Sequence, residues 1–393
     1  MTLLELKIPI DSTFLSHTIY EGILFSISSS NTNTFSAKEV HFSKDFLKKA
    51  YKSLEDERID KITIIFTGND KIETLLETLK ISEKPKKTFR GLIKVIKNND
   101  TRIPEPDNIK LLLKLEKKNM LIDSDRKVCL AAPQLFKVDR YTGISSFETK
   151  LISEQLGLRM SPETILLSLL GTYSSHVTTV RGQENVYHYF LFFAPEEVVS
   201  LLNNGDLGQL NVYLTMKEEI MEGLVDILSS SIVNEFLLLE IMLNTKFLES
   251  MRKKGLDKIG LILFKVSPEG QTYKIYEIIP ITLYKEPAFY DILAKKTRNA
   301  DKICEILSSV LSSGETIANA LKSFNTRNKF DEADEILKGV LSLYRFVVLA
   351  DVQGLYDFLH YLKNACKILE AKNPNNPRIK SYLRIQRELA YFI

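Results

Sequence analysis

The sequence is poor in the residues that build disulfide frameworks and metal centres. Its three cysteines, Cys129, Cys304 and Cys366, lie far apart among 393 residues, and no CxxC pair occurs. Closely spaced cysteine pairs are typical of disulfide-stabilised domains and of structural zinc sites. The five histidines are scattered, and no two stand four residues apart. We therefore expect no disulfide framework, no metal and no other cofactor.

Long apolar runs are missing as well. No stretch approaches the roughly 20 apolar residues that a membrane-spanning helix needs. The first ten residues lack the charged-then-apolar layout of a secretory signal peptide. Apolar residues make up 44% of the chain and charged residues 26%, as in folded soluble proteins. The sequence thus predicts a cytoplasmic protein of two or three domains that does not contact a membrane.

Catalytic signatures are also absent. The chain contains no GxxxxGK[ST], GxGxxG, HExxH or GxSxG pattern, so phosphate loops, zinc hydrolases and serine hydrolases have no support. One alternative stays open, because His176 and His188 flank a loop that contains Glu184 and could form a metal site with it. We expect His188, on an aromatic strand, to be a hydrogen-bonded core residue instead. The sequence predicts that the protein is not an enzyme.

Charge is unevenly distributed, although the net charge of the whole chain is only +3. Lys80–Arg102 carries net +6, Ala194–Glu249 carries net −8, and Lys372–Arg387 holds five bases and no acid. Such polarity suits a protein that binds a polyanion with one surface and a basic partner with another. The alternative interpretation is that these charged runs are merely solvated faces.

Three groups of residues are candidates for nucleic-acid binding. The bases of Lys84–Lys97 could contact phosphates without sequence preference. The loop 181–185 holds Arg, Gln and Asn, which read base edges, and a glycine that permits close approach to a groove. Three bases of the terminal helix share a face. The predicted nucleic-acid-binding residues are Lys84, Lys86, Lys87, Arg90, Lys94, Lys97, Arg181, Gln183, Asn185, Arg378, Lys380, Arg384 and Arg387.

Hydrophobic periodicity predicts an α+β fold, in which a mixed α/β N-terminal region is followed by an all-helical C-terminal bundle. We expect domains at residues 1–286 and 287–393, and a further division near residue 104 is an option.

Several individual elements can be predicted as well. A hairpin is predicted to form from Ile259–Val266 and Tyr273–Tyr284. Ser161 with Pro162 marks a helix start. Further expected elements are strands at Ile19–Ser28 and Gly91–Lys97 and a helix at Asn108–Lys118.

The clearest helical pattern covers Ile336–Leu369. Large or apolar side chains recur there at steps of three and four, and a second row (Phe346, Val347, Phe358) widens the apolar face. We predict one uninterrupted helix at the buried centre of the C-terminal bundle. The predicted stripe is Leu337, Leu341, Tyr344, Val348, Val352, Leu355, Leu359, Leu362, Cys366 and Leu369.

Three apolar segments carry a resemblance to a known family. They are YHYFLFFAPEEVVSLL at Tyr187–Leu202, IGLILFKV and YEIIPITLY within Ile259–Tyr284, and LYRFVVLADVQGLYDFL at Leu343–Leu359. In order and character they resemble the large subunit of archaeal type I-A CRISPR interference complexes, the archaeal Cascade. The resemblance is confined mainly to the C-terminal half of the chain.

The resemblance implies a non-catalytic part of a ribonucleoprotein in antiviral defence. Such a subunit recognises a short motif beside the target in duplex DNA, and guide RNA pairing reads the target itself. Its implied partners are target DNA, guide RNA and the other subunits of the complex, including the helicase and nuclease subunits. The acidic Glu196–Glu249 region is our candidate for contacts with protein partners.

Two other functions remain as alternatives. The first is a metal-dependent nuclease that uses His176, His188 and Glu184. The second is a transcriptional regulator built on a winged helix around Asn108–Phe136, which would require a dimer and palindromic sites.

Overall fold

The computed structural model describes residues 1–116, 119–123, 128–141, 157–181, 185–230, 234–312, 314–325 and 328–392. The chain forms two compact units. The first comprises Met1–Lys217 and Gly260–Pro280, and the second comprises Glu218–Ile259 and Ile281–Ile393. The domain boundaries at residue 287 and near residue 104 stay predictions. Among the described residues, none of the helices combines the length and the apolar character that a membrane crossing requires.

The described strands form three sheets. The strands are β1 (Thr2–Leu6), β2 (Glu39–Phe42), β3 (Asn108–Leu111), β4 (Leu113–Glu116), β5 (Asn119–Ile122), β6 (Leu130–Ala131), β7 (Gly157–Met160), β8 (His176–Arg181), β9 (Val186–Phe193), β10 (Lys258–Glu269) and β11 (Thr272–Tyr284). The sheet orders are β2-β1-β3, β4-β5-β7-β6 and β11-β10-β9-β8. The first two sheets contain one parallel pair each, β1 with β3 and β5 with β7. The predicted hairpin is confirmed, since β10 and β11 are neighbours joined by a turn at Gly270, whose φ is +58°.

Helices alternate with these strands along the chain, and the residues after β11 are helical. They are α1 (Phe14–Ser29), α2 (Phe46–Lys52), α3 (Asp56–Lys61), α4 (Ile72–Thr78), α5 (Phe89–Asn98), α6 (Pro162–Ser175), α7 (Pro195–Asn204), α8 (Leu207–Ser230), α9 (Asn234–Met242), α10 (Thr245–Lys254), α11 (Ala288–Lys296), α12 (Ala300–Leu311), α13 (Thr316–Lys322), α14 (Ala333–Leu349), α15 (Gln353–Lys372) and α16 (Pro377–Phe392). In the second unit, apolar side chains of α9 and of α11 to α16 share one core. The predicted fold class is confirmed: a mixed α/β region precedes an all-helical C-terminal region.

Helices α1 and α6 pack with their backbones in contact. A methyl group at Gly22 would overlap the carbonyl oxygen of Leu167, and one at Gly171 would overlap that of Thr18. Glycine is needed at both positions because each faces main-chain atoms, which cannot turn aside as a flexible side chain could. Both helices are buried along most of their length, so neither sequence shows the one-sided apolar stripe that is typical of a surface helix.

The strand predicted at Ile19–Ser28 is wrong, since these residues lie within α1. A fully buried helix has no polar face to reveal its period, and its β-branched residues suggested a strand. Thr13 caps the helix by accepting a hydrogen bond from the Ser16 N–H at 3.2 Å. The helix start predicted at Ser161 is confirmed, because its hydroxyl accepts the Thr164 N–H at 3.1 Å.

The helix predicted at Asn108–Lys118 is also wrong. Its residues form β3 and β4 as far as they are described, and in β3 burial alternates, with Ile109 and Leu111 buried. Pairing with β1, which is distant in sequence, overrides the local helix propensity. A winged helix needs a helix at this position, so that arrangement is not found in the described part of this segment.

The single helix predicted over Ile336–Leu369 is instead two helices. α14 ends at Leu349, and α15 begins at Gln353. Ala350 lies between them with φ +56°, a left-handed conformation that ends an α-helix. The two helices then run antiparallel, as the approach of Gly339 to Phe358 and Tyr361 of α15 indicates.

This reversal changes which face of α14 is buried. Leu341, on the predicted buried stripe, is 39% exposed, whereas Phe346 and Val347 of the second row are buried. In α15 the stripe residues Leu355 and Leu362 are buried, as predicted. The buried face predicted for α14 is wrong because the helical period of one helix cannot be extended across a chain reversal into the next.

Replacing Gly171 with alanine should lower the free energy of unfolding by about 1–3 kcal/mol, because α1 must move away from α6. The matched control is Gly208→Ala at the exposed start of α8, where a methyl group meets only the Asp206 side chain. Urea titration followed by circular dichroism measures both variants. A Gly171→Ala midpoint equal to that of the wild type would contradict the packing described here.

Candidate nucleic-acid interface

The basic segment Lys84–Lys97 consists of an exposed loop followed by α5. The strand predicted at Gly91–Lys97 is wrong, since these residues are helical and Thr88 caps the helix by accepting the Gly91 N–H at 3.2 Å. Apolar residues at helical spacing, Phe89, Leu92 and Ile96, are buried on one side of α5. The bases of α5 therefore lie on its opposite, solvent-facing side.

Half of the six predicted bases in this segment already have carboxylate partners. Lys87 pairs with Glu73 at 3.3 Å, Lys94 with Asp60 at 2.7 Å, and Lys97 with Asp56 at 2.9 Å. The hydrogen bond from Lys97 lowers the pKa of the Asp56 carboxyl. Lys97 also donates to the Leu54 carbonyl at 2.7 Å, which fixes it to the protein. The segment is thus less available to phosphates than its charge count suggests.

Lys84, Lys86 and Arg90 are exposed, and within the described residues none of them has a carboxylate within ion-pair distance. Lys86 and Arg90 lie at the N-terminal end of α5, where the helix dipole adds positive potential. Gly91 makes this arrangement possible, because a methyl group there would lie 2.8 Å from the Lys86 carbonyl oxygen. The loop before the helix therefore folds tightly over its first turn and brings Lys86 next to Arg90.

The predicted base-reading loop is described only in part. Gln183 lies outside the described residues, whereas Arg181 is exposed at the end of β8 and Asn185 is exposed just before β9. The Asn185 side-chain amide contacts the Tyr187 hydroxyl at 3.4 Å. Arg181 pairs in register with Val186, so β8 and β9 bring the two ends of this loop together.

The two histidines of this hairpin form a buried network. The Thr179 hydroxyl lies 3.2 Å from His176 Nε2 and 3.0 Å from His188 Nδ1. Burial lowers the pKa of His176 to about 3 and that of His188 to about 4, so both rings are neutral near pH 7. Glu184 lies outside the described residues. Among the described residues, no group of three histidine, cysteine or acidic side chains is arranged to hold a metal ion.

The four predicted bases of α16 divide into two kinds. Arg378 is held within the protein, because its Nε lies 3.0 Å from the fully buried Glu332 carboxylate. Lys380, Arg384 and Arg387 are exposed on the opposite side from the buried face of the helix. Among the described residues, Lys380, Arg384 and Arg387 make a single ion pair, which joins Arg384 to Glu388 at 3.8 Å.

Tertiary structure extends this surface with residues that the sequence reasoning missed. Tyr391 continues the spacing of Arg384 and Arg387 by one helical turn, and 66% of its surface is exposed. The Arg298 guanidinium lies 5.8 Å from the centre of the Tyr391 ring, and the Arg298 N–H donates to the Phe392 carbonyl at 2.8 Å. The sequence signal was the basic run KKTR at 295–298. We call Arg298, Lys380, Arg384, Arg387 and Tyr391 the α16 stripe.

The acidic segment Glu196–Glu249 has mixed roles. Glu197 is buried and accepts the Gly260 N–H at 2.8 Å, so it supports the fold. Other acids line an open cleft of about 610 Å³ in the second unit. The acids of this cleft are Glu219, Glu222, Asp226 and Glu240.

Comparison with known proteins establishes a relationship over the whole length of the chain. No family model and no solved structure matches it. A protein of Archaeoglobus fulgidus, described as uncharacterized, is 43% identical over 398 residues, and the match covers 100% of both chains. The chain belongs to the same family as this Archaeoglobus protein. The matched region includes the residues of both units described above.

The buried histidines should make this family member lose stability in mild acid. Below pH 6.5 the unfolded chain takes up protons on His176 and His188, whereas the folded chain does not until about pH 4 or below. Between pH 6.5 and 4.5, His188 alone should remove about 2 kcal/mol of stability. His188→Gln should therefore show a smaller loss over this range than the wild type.

Urea unfolding at pH 6.5, 5.5 and 4.5 measures this difference. His360→Gln, at an exposed position of α15, is the matched control and should follow the wild type. Identical pH dependence of His188→Gln and the wild type would show that burial does not lower the pKa of His188 in the folded protein.

Proposed function

We propose that this chain is a non-catalytic nucleic-acid-binding protein, and that it serves as the large subunit of an archaeal type I-A CRISPR interference complex. The observation that carries the first part is the α16 stripe, an exposed row of bases that ends in an aromatic ring under a guanidinium. The second part rests on the resemblance of the apolar segments in the C-terminal half. This resemblance implies that the nucleic acids bound by the chain are target DNA and guide RNA.

The dimensions of the α16 stripe suit a nucleic-acid backbone. Lys380 and Tyr391 are eleven residues apart, a helical rise of about 16 Å. Phosphates recur about every 3.4 Å along each strand of a duplex, so the stripe could follow several of them. Most positions of the stripe carry a guanidinium, which pairs with phosphate oxygens through two parallel hydrogen bonds. Tyr391 adds a ring on which an unpaired base can stack.

Lys84, Lys86 and Arg90 supply a second phosphate-binding surface. Lys87 and Lys94 can join it, because exposed ion pairs are worth only about 0–1 kcal/mol and can be exchanged for phosphate contacts. Lys97 is less available, because it also donates to the Leu54 carbonyl. Phosphate contacts give affinity without sequence choice. Motif recognition is therefore assigned to Arg181 and Asn185, together with Gln183 outside the described residues.

The proposed role in the complex also needs protein partners. Within the acidic cleft, the exposed Glu222 offers negative charge to a basic surface of another subunit, whereas Glu219 is already paired with Lys254 at 2.6 Å. The helicase and nuclease subunits are the expected partners. In this role the chain binds and positions nucleic acid in the cytoplasm and does not cleave it.

Charge reversal tests the stripe. Arg384→Glu with Arg387→Glu should weaken binding to all duplex sequences alike, by tenfold or more. It should also reduce the slope of log affinity against log salt by about 2, since two phosphate contacts are lost. Lys363→Glu with Lys367→Glu, at exposed positions of α15, is the matched control. A salt series of fluorescence anisotropy measures both. Unchanged affinity in the stripe variant would remove α16 from the interface, and cleavage of DNA by the pure chain would favour the nuclease alternative.

Alanine at Arg181 and Asn185 tests base reading separately. In the assembled complex, binding to duplexes with randomised bases beside a guide-matched target should lose its motif preference. The expected loss is about 1–3 kcal/mol per good base contact, with little change in affinity for unrelated DNA. Lys274→Ala, on β11, is the control. A preserved motif preference would assign the reading to another loop.

A further inference from the structure

Strand β4 lies at the edge of its sheet. In the order β4-β5-β7-β6 it occupies one end, and among the described residues β5 is the strand that pairs with it. An edge strand presents a row of unpaired N–H and C=O groups to which a further strand can be added. The outer side of β4 is therefore a candidate surface for association with another chain.

One hydrogen bond fixes the direction of the main-chain groups along β4. The Asp123 N–H donates to the Leu112 carbonyl at 3.2 Å, so the Leu112 carbonyl faces the side of β5. The main-chain groups of successive residues alternate between the two sides of a strand. Leu113 and Leu115 therefore direct their N–H and C=O groups to the outer side, where no partner is found within the described residues.

The same two residues also expose their side chains. Leu115 is 69% exposed and Leu113 is 40% exposed, on the face of the sheet that bears Ile122. A lone exposed leucine is ordinary in a folded protein. Here the exposed leucines coincide with the unpaired main-chain groups, so a strand added at this edge would satisfy both at once.

The sequence of β4 restricts how a second copy of the same strand can pair with it. In an antiparallel pair with two-fold symmetry, one residue lies on the axis opposite itself. Leu113 on the axis would draw the Leu111 main chain into the pair, although its carbonyl already accepts the Lys7 N–H at 3.0 Å. Lys114 or Glu116 on the axis would set like charges opposite each other, which destabilises a sheet. These registers are therefore unfavourable.

The register with Leu115 on the axis has none of these faults. The N–H and C=O groups of the two Leu115 residues bond to each other, and their exposed side chains pack together. Lys114 then stands opposite Glu116 of the second copy on both sides of the axis. Glu116 is exposed and makes no ion pair within the described residues, so this register gives its carboxylate a cation.

We propose that two copies of this chain associate in solution by antiparallel pairing of their β4 strands around Leu115. The pairing joins the two four-stranded sheets into one continuous sheet. The contact is short, because β4 has only four residues, and we expect a weak dimer with a dissociation constant of about 10–100 µM. The proposal does not depend on nucleic-acid binding.

Sedimentation equilibrium of the full chain at about 1–300 µM, a range that brackets this constant, tests the association. The wild type should change from monomer to dimer as its concentration rises. Leu115→Lys, which places like charges on the axis, should weaken the association by about tenfold or more. Leu349→Lys is the matched control on α14, where the leucine is 67% exposed, and it should associate like the wild type.

A charge exchange tests the register. Glu116→Lys sets two lysines opposite each other on either side of the axis, and Lys114→Glu does the same with two glutamates, so each variant alone should stay monomeric. An equal mixture of the two variants should form mixed dimers, because lysine then stands opposite glutamate at every charged position. Circular dichroism checks that each variant is folded, and Leu115→Lys still tests the edge if one of them is not.

A wild type that stays monomeric over the whole range overturns the proposal and leaves this edge to a strand of another protein. Association of Leu115→Lys equal to that of the wild type also overturns it, since the copies would then meet through another surface. Mixed dimers of the two charge variants, with neither variant dimerising alone, uphold both the surface and its register.

Discussion

Helices α1 and α6 approach until main chain meets main chain, and much of the first unit depends on this contact. Gly22 and Gly171 leave the space that the opposite carbonyl groups fill. Phe14 at the start of α1 packs edge-on against Phe190 of β9 at 5.1 Å, and α6 leads directly into β8. The helix pair therefore positions the β8–β9 hairpin, and with it the exposed Arg181 at the end of β8.

Charged side chains in this protein either support the fold or stay available to bind a partner, and the difference between the two follows their burial. The Lys217 ammonium pairs with the Glu21 carboxylate where both are almost completely buried, and breaking such a pair leaves an uncompensated charge in the interior. The exposed pair of Lys94 with Asp60 can open at little cost and offer its ammonium to another anion. Arg378 lies between these cases, since one side of its guanidinium is tied to a buried carboxylate and the other opens onto a pocket. The basic residues are therefore not equivalent binding sites.

Sequence reasoning succeeded where the deciding interactions are local. The Ser161 cap and the β10–β11 hairpin depend on residues within a few positions of each other, and both were predicted. It failed for α1, where burial on all sides removed the helical pattern, and for Asn108–Leu111, where pairing with β1 decided the conformation. It also extended a helix through Ala350, because the spacing of apolar residues happens to continue across the reversal.

The sequence by itself determined the α+β class, the helical C-terminal region and the presence of exposed bases at helical spacing on α16. These follow from hydrophobic period and charge, which are local properties of the chain. Only the tertiary structure decided which bases are neutralised, because Asp56, Asp60 and Glu332 reach their partners from other elements. It likewise brought Arg298 over Tyr391. An ion pair or a ring contact depends on distance in space, and a linear pattern carries no record of that distance.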